Sequence, residues 1–196
     1  MKMYMVVKRF GDIFLSLCGI LVLSPVLLLL AVFIKLDSKG PVLFCQKRVG
    51  IHKSYFMIYK YRTMRTDTPK DMPTHMLQNP DRHITRIGKI LRRTSLDELP
   101  QLFNILLGHM SVIGPRPALW NQYDLIDERD KYGANDIRPG LSGWAQVNGR
   151  DELPIPLKAE LDGFYVRNIG FVLDCRIFFL TVVAAVWGKG LSEGSR

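Results

Sequence analysis

Two adjacent carboxylates, Asp97 and Glu98, stand in the segment TSLDELP, directly after a run of basic residues. Carboxylates beside cations are the groups that a metal-assisted phosphoryl transfer requires, because that reaction must manage negative charge on both reactants. A purely structural interpretation is also open. Ser95 and Glu98 have the spacing of a capping box. Alternatively, Pro100 is the first residue of the helix. Both alternatives predict a helix over 101–107 with the carboxylates near its N-terminus.

Six cations elsewhere in the chain are candidates for contact with phosphate groups. They are Lys60 and Arg62 near the end of a predicted strand, Arg86 and Arg93 on one face of a predicted helix, and Arg116 and Arg150 in loops rich in glycine and proline. Guanidinium groups and glycine-rich backbone both bind phosphate. A solvated surface remains the alternative for each, because neither loop matches a Walker A or dinucleotide-binding fingerprint.

The elements that must position these residues follow from local patterns. The predicted elements are a β-hairpin with strands Val42 to Val49 and Tyr55 to Met64, helices over Ile84 to Arg93 and Leu119 to Tyr132, and an apolar helix over Ile177 to Trp187. The last of these is too short to cross a bilayer. It is either a buried core helix or a helix that lies in the membrane interface. The fold class predicted is α+β, mostly helical.

The longest apolar stretch, Ile13 to Ile34, is 22 residues without a charge. As a helix it would be about 33 Å long, enough to cross the hydrocarbon core of a bilayer. Pro25 near its middle removes one backbone hydrogen bond, and the hydroxyl of Ser24 is close enough to bond to the freed carbonyl. The stretch is too long for a cleaved signal peptide, so we expect it in the mature protein.

Basic residues flank the apolar stretch on both sides, with Lys8 and Arg9 before it and Lys35 and Lys39 after it. Basic flanks favour the cytoplasmic side of a membrane. Two topologies remain open: a straight span, and a helix broken at the Ser-Pro pair that returns to the same side. We expect Lys8 and Arg9 to anchor the chain at lipid headgroups, with contact to a lipid phosphate as the alternative.

Composition limits the remaining possibilities. The 196 residues carry 27 Lys and Arg against 18 Asp and Glu, a net charge of +9, so anionic partners are expected. Three widely spaced cysteines, Cys18, Cys45 and Cys175, exclude a disulfide framework or a Cys/His zinc pattern. We divide the chain into a membrane helix over 1–36 and one catalytic domain over 37–196.

Several long motifs occur in a specific order along almost the whole chain. They are KRFGD, the apolar stretch with its Ser-Pro pair, DSKGPVLFCQKRVG, KYRTM, RRTSLDELPQLFNILLGHMSVIGPRP and RPGLSGWAQVNGR. In these motifs the chain resembles the bacterial monotopic phosphoglycosyl transferases, which are small membrane sugar transferases.

The resemblance implies a reaction. Such enzymes transfer a phospho-sugar from a uridine diphosphate sugar to polyprenol (undecaprenyl) phosphate and release uridine monophosphate. The family's Asp-Glu dyad falls on Asp97 and Glu98. The aspartate is the nucleophile that forms a covalent phospho-sugar intermediate, and Mg²⁺ assists, with both carboxylates as its expected ligands.

The resemblance also implies an architecture and a location. We expect an N-terminal re-entrant membrane helix-break-helix with its bend at Ser24 and Pro25. A compact catalytic domain should follow, with a small β-hairpin and interfacial amphipathic helices, on the cytoplasmic face of the bacterial inner membrane.

Two other functions are compatible with the composition. One is a membrane-tethered basic module that recruits nucleic acid or anionic lipid, and the other is a catalytically silent scaffold of glycan assembly. No recognised nucleic-acid motif occurs, so we expect no nucleic-acid partner. The expected partners are the uridine diphosphate sugar, polyprenol phosphate, anionic lipids, and either a second copy of the chain or other glycan-assembly enzymes.

Overall fold

The computed structural model describes residues 2–69, 82–149 and 153–187. Within these ranges the elements are helix α1 (Lys2–Asp37), strands β1 (Leu43–Val49) and β2 (Tyr55–Tyr61), helices α2 (Arg86–Thr94) and α3 (Gln101–Leu106), strand β3 (Ser111–Ile113), helix α4 (Tyr123–Asp130), strand β4 (Gly140–Ser142), and helices α5 (Trp144–Val147), α6 (Ile155–Arg167) and α7 (Phe171–Trp187). The predicted mostly helical class with a small β-hairpin is confirmed.

The predicted hairpin is formed by β1 and β2, which pair antiparallel with Val49 opposite Tyr55 beside the turn. Alternate side chains of β2 point to the same face of a strand. Phe56 and Ile58 accordingly share a buried face and pack against Ile105 of α3. The hairpin therefore supports the short helix that follows the two candidate carboxylates.

A second small sheet was not predicted. β3 and β4 pair in parallel, with Ser111 opposite Gly140 and Ile113 opposite Ser142. A Cβ atom at Gly140 would lie 2.1 Å from the backbone nitrogen of Gly114, so only glycine permits this approach. The glycines that suggested phosphate-binding loops thus serve here to bring two backbone segments together.

Helix α1 is continuous over 36 residues and includes Pro25. Ser24 Oγ donates a hydrogen bond of 2.8 Å to the carbonyl of Leu21, which is the group that Pro25 leaves without its usual partner. The predicted compensation by Ser24 is confirmed. The predicted break is not seen as an interruption of the helix. By length and composition, residues Met3–Asp37 of the described chain suffice to cross a membrane.

The N-terminal end of α1 is attached to the rest of the protein by a polar cluster around Asp174 of α7. Lys8 Nζ and Tyr4 Oη donate to Asp174 Oδ2 at 2.5 and 2.7 Å, and Tyr165 Oη donates to Oδ1 at 2.7 Å. The Lys8 side chain is only 8% exposed. Its ammonium therefore has an internal partner, in contrast with the expected contact to lipid headgroups.

The C-terminal end of α1 is attached to the same domain by apolar contacts. Leu27 and Ile34 pack in one buried cluster with Tyr61 of β2 and Leu91 of α2. Asp37, the last residue of α1, accepts a hydrogen bond from the first turn of α2 at 3.1 Å. Both ends of the apolar helix thus lie on one domain.

Helix α7 begins at Phe171, six residues before the predicted start, and it exposes apolar side chains. Asp174 and Ile177 are buried. The exposed apolar side chains are those of Phe171, Val172, Phe178, Phe179 and Val182. These exposed side chains do not agree with the buried-core alternative, and the interfacial alternative stays a prediction.

The other helices differ from prediction mainly at their ends. α2 occupies 86–94 where 84–93 was predicted, and α4 occupies 123–130 where 119–132 was predicted. Helix α6 was not predicted at all. It packs on α4, and its buried side chains include Asp162, so its sequence does not show a clean apolar face.

A buried ion pair that joins α4 to α6 provides a stability prediction. Arg129 Nε and Nη2 donate to Asp162 Oδ2 at 2.8 and 2.6 Å, and both side chains are almost fully buried. Asp162→Ala should lower the free energy of unfolding by about 3–5 kcal/mol, because it leaves a guanidinium buried without its counter-charge. Denaturant unfolding in detergent micelles measures the change.

The double variant Arg129→Met/Asp162→Leu should lose much less stability, because no charge remains buried. Lys131→Ala serves as the control, since it removes an exposed pair with Glu128 and should cost less than about 1 kcal/mol. Equal losses in the single and double variants would contradict this account of the pair.

Candidate active site

The two candidate carboxylates lie in a tight turn between α2 and α3. Helix α2 ends at Thr94. The next residue, Ser95, has a left-handed backbone (φ 55°, ψ 17°), and its N–H donates to the carbonyl of Arg92 at 3.2 Å. A 3₁₀ turn over Leu96–Glu98 follows and leads into α3. The left-handed region is unfavourable for a serine backbone, so the chain is strained at Ser95, two residues before Asp97.

The capping-box prediction was wrong. Ser95 lies between α2 and the 3₁₀ turn in a left-handed conformation, and its side chain makes no capping hydrogen bond to that turn. α3 begins at Gln101, directly after Pro100, which is close to the alternative with proline as the first helical residue. Glu98 is therefore not used as a helix cap, and its carboxylate makes other contacts.

Glu98 joins two cations that come from distant parts of the chain. Its Oε1 accepts a hydrogen bond from Lys60 Nζ at 2.7 Å and one from Arg116 Nη2 at 3.3 Å. Lys60 lies on β2, and Arg116 lies in the segment after β3. All three side chains are mostly buried, between 16% and 30% exposed. Lys60 and Arg116 are two of the six predicted phosphate contacts, and the fold brings them together at the dyad.

The environment of Glu98 favours its ionised form. Burial by itself raises the pKa of a carboxyl group. Here the charges of Lys60 and Arg116, together with their hydrogen bonds, outweigh burial and hold the pKa of Glu98 well below its usual range. The Glu98 carboxyl is thus ionised near neutral pH, between two cations, and it is not suited to act as a general acid there.

Backbone contacts hold Arg116 in place. The segment between Ile113 and Arg116 is fixed against β4, because Gly114 N donates to Ser142 O and Gly140 N donates to Pro115 O, both at 2.8 Å. The parallel pairing of β3 with β4 therefore decides where this guanidinium lies. Its position depends on contacts between residues about 25 apart in sequence.

Asn104, which was not among the predicted site residues, holds α3 against the hairpin. Its Oδ1 accepts from Tyr59 N at 2.9 Å, and its Nδ2 donates to Met57 O at 2.8 Å. The side chain is fully buried. The sequence does contain a signal for this role, since Asn104 is a polar residue on the apolar face of the predicted helix 101–107. Buried amides are normally hydrogen-bonded, so an asparagine at such a position indicates a specific partner.

Three of the other predicted residues do not lie at the dyad, because their side chains form hydrogen bonds with other parts of the protein. Arg62 is buried and donates to Pro41 O, Ser38 Oγ and Ser38 O at 2.6 to 2.8 Å, so it holds the turn that follows α1. Arg9 donates to Ile105 O and Leu106 O at 2.6 and 2.8 Å, at the C-terminal end of α3. Lys8 pairs with Asp174, as described above.

Arg86 and Arg93 lie on the exposed side of α2, and their predicted contact with phosphate stays a prediction. Arg150 falls outside the described residues. Asp97 itself is half-buried in the same turn as Glu98. The site thus consists of a turn with two carboxylates and two cations, an arrangement that can accept a diphosphate beside a carboxylate.

The ion pairs of Glu98 predict a pH-dependent contribution to stability. A carboxyl group whose folded pKa is depressed stabilises the fold above its unfolded pKa, about 4.3 for Glu, and this stabilisation is lost as pH falls further. The thermal midpoint of Glu98→Gln should therefore lie well below that of the unchanged protein at pH 7. The difference should shrink below about pH 4.

Glu128→Gln is the matched control, because Glu128 pairs with Lys131 at the surface. Its midpoint should stay close to that of the unchanged protein at both pH values. A Glu98→Gln difference that is constant from pH 7 to pH 3 would contradict the assignment of two charged partners to Glu98.

Comparison with known proteins shows the family to which the chain belongs. The profile of the family described as bacterial sugar transferase matches residues 3–188. The exopolysaccharide production protein PSS of Rhizobium leguminosarum bv. phaseoli is 46% identical over 96% of this chain and all of its own length.

Two longer relatives are named for the lipid on which they act. The undecaprenyl-phosphate glucose phosphotransferase of Komagataeibacter xylinus is 41% identical over 94% of this chain and 37% of its own length. The UDP-N-acetylgalactosamine-undecaprenyl-phosphate N-acetylgalactosaminephosphotransferase of Aeromonas hydrophila is 40% identical over 95% of this chain and 45% of its own length. The chain therefore spans less than half of either protein. With a family profile over nearly its whole length and a relative matched end to end, the chain belongs to the bacterial sugar transferase family.

Proposed function

We propose that this protein transfers a phospho-sugar from a uridine diphosphate sugar to undecaprenyl phosphate and releases uridine monophosphate. The observation that carries the proposal is the meeting of Lys60 and Arg116 at Glu98, next to Asp97, in a member of this family. The names of the relatives support both the lipid acceptor and the nucleotide-sugar donor.

In the proposed reaction, a carboxylate oxygen of Asp97 attacks the phosphorus that bears the sugar. The bond between this phosphorus and the bridging oxygen breaks, and uridine monophosphate leaves with the electron pair. An oxygen of the lipid phosphate then attacks the same phosphorus and restores the Asp97 carboxylate. Two displacements replace one difficult step, as carboxylate nucleophiles achieve in other enzymes.

Lys60 and Arg116 supply positive charge to this reaction. The transferring phosphoryl group carries negative charge on its oxygens throughout, and fixed cations that need not reorganise stabilise it. Glu98 holds both cations with their charged groups directed to one point. We assign to Glu98 the positioning of Lys60 and Arg116, and we assign the nucleophilic attack to Asp97.

We also propose that Mg²⁺ assists. Among the described residues, no group of three or more His, Cys, Asp or Glu side chains is close enough to form a protein-only metal cage. Mg²⁺ is commonly bound by one or two carboxylates together with substrate phosphates, and the Asp97–Glu98 pair fits that mode. Bound there, the ion would screen the diphosphate charge and improve the leaving group.

For the membrane segment we propose a re-entrant arrangement in which α1 enters the bilayer, bends at Ser24 and Pro25 without losing its helical hydrogen bonding on either side, and returns to the same side. Two contacts support it: Lys8 with Asp174 near one end, and Ile34 in the cluster with Tyr61 and Leu91 near the other. A straight span would carry one end of α1 away from this domain. Basic flanks on both sides of the apolar stretch favour the cytoplasmic face.

The location suits the two substrates. The lipid phosphate keeps its chain in the bilayer and its charge at the interface, whereas the nucleotide sugar is soluble. α7 exposes apolar side chains that include Phe178 and Phe179, and these fit the same interface. An active site held at the interface can therefore receive both substrates.

The reaction is tested by release of uridine monophosphate from a panel of uridine diphosphate sugars in the presence of undecaprenyl phosphate. Glucose and N-acetylgalactosamine donors belong in the panel, since relatives are named for both sugars. Asp97→Asn should abolish release and the covalent adduct, because the amide is not a nucleophile. Mass spectrometry of the intact chain detects the adduct.

A sugar-phosphate adduct on the Asp97→Asn protein would contradict the assignment of the nucleophile. Arg65→Ala is a suitable control, because Arg65 pairs with Asp67 on the exposed surface and should leave turnover unchanged. A chain that binds nucleotide sugar and lipid but releases nothing with any donor would favour the scaffold hypothesis.

Topology is tested by cysteine labelling in a variant whose Cys18, Cys45 and Cys175 are replaced. Met3→Cys and Lys39→Cys place one thiol near each end of α1. In intact spheroplasts an impermeant maleimide should label neither thiol, and it should label both after permeabilisation. Labelling of Met3→Cys alone in intact spheroplasts would contradict the re-entrant arrangement and indicate a straight span.

A further inference from the structure

Arg116 stands between two prolines, Pro115 and Pro117, and this limits how its backbone can be held in place. Proline has no N–H, so neither neighbour can donate a hydrogen bond to an adjacent strand. The carbonyl of Pro115 accepts a bond from Gly140 N at 2.8 Å. The carbonyl of Pro117 accepts one from Arg48 Nη1 at 3.0 Å. The chain is therefore held by backbone of β4 just before Arg116 and by a side chain just after it.

Arg48 reaches this carbonyl from the inner face of the hairpin. It lies on β1 opposite Phe56, whose side chain is buried in the cluster beneath α3. Because residues two apart on a strand share a face, Lys60, four residues after Phe56, lies on the same face. This face of the hairpin thus serves both cations of the dyad. Lys60 belongs to it directly, and Arg48 contacts the residue that follows Arg116.

The guanidinium of Arg48 is held at both of its terminal nitrogens. Nη2 donates to Gln46 Oε1 at 2.6 Å, whereas Nη1 donates to Pro117 O. Gln46 is 6% exposed and lies two residues earlier on the same face of β1. A planar guanidinium donates in fixed directions, so the bond to Gln46 also fixes the direction of the bond to Pro117. Arg48 therefore connects β1 rigidly to the segment that carries Arg116.

We propose that Arg48 is a positioning residue for Arg116, a role that rests on the proposed transfer reaction. By holding the carbonyl of the next residue, Arg48 determines where the Arg116 guanidinium lies relative to Glu98 and to the transferring phosphoryl group. Arg116 supplies the charge, and Arg48 acts only through the backbone. Cations stabilise a transition state best when they need not reorganise, so a loosened segment would weaken the effect of Arg116 without removing its charge.

Arg48→Met tests this role, because it removes both donors and keeps an unbranched side chain. The backbone bond of 3.0 Å from Val49 N to Ala118 O does not depend on this side chain, so the variant should fold. In the uridine monophosphate release assay, kcat/KM should fall about 10- to 100-fold, because small displacements of a group in the site are costly. Arg48→Lys cannot hold both acceptors in one plane, and it replaces Arg48→Met in the same test if that variant does not fold.

A double-mutant cycle distinguishes positioning of Arg116 from a general structural role. Arg116→Ala alone should lower kcat/KM about 100- to 1000-fold, because it removes a cation that stabilises the transition state. Adding Arg48→Met to Arg116→Ala should change kcat/KM by less than about twofold, since the group that Arg48 positions is already absent. A structural role would lower activity by the same factor in both backgrounds, so losses that multiply would overturn the proposal.

Lys47→Ala is the matched control on β1. Lys47 is exposed on the opposite face of the strand and lies over the ring of Tyr55, so its removal should leave kcat/KM unchanged. Unchanged kcat/KM in Arg48→Met would overturn the positioning role and leave the transfer reaction standing. Absence of nucleotide release from the unchanged chain would instead overturn the transfer reaction itself, and this role with it.

Discussion

The carboxylate of Glu98 draws together three parts of the chain that are far apart in sequence. Lys60 comes from the hairpin, Arg116 from the segment after β3, and Glu98 from the turn between two helices. Each cation would repel the other without the anion between them. Because the pairs are mostly buried, their attraction is screened less than at the surface. The geometry of the site therefore depends on this one anion.

Helix α1 and helix α3, which follows the turn with the two carboxylates, are directly connected. Arg9 near the start of α1 donates to the carbonyls of Ile105 and Leu106 at the C-terminal end of α3. Its positive charge is also favourable there, because the C-terminus of a helix carries a partial negative charge. Leu102 of α3 packs close to Gly19 of α1. The dyad turn is thus supported by the hairpin on one side and by α1 on the other.

Prediction from sequence succeeded where local signals are strong. The hairpin, the helix after Pro100 and the bond from Ser24 to the carbonyl that Pro25 frees all follow from periodicity and backbone chemistry. Prediction failed for strands and helices that form only because a segment distant in sequence packs against them. β3 and β4 have three residues each, too few to show a period, and α6 buries a charged Asp162 whose partner lies on α4.

The sequence by itself determined the chemistry that is available: a carboxylate pair, a set of cations, and an apolar segment with proline and basic flanks. Only the tertiary structure decided which cations meet the carboxylates. Arg62 and Arg116 both looked like phosphate contacts, yet Arg62 is used inside the turn after α1, whereas Arg116 reaches Glu98. The physical reason is that the position of a guanidinium depends on long-range backbone pairing, which local sequence does not encode.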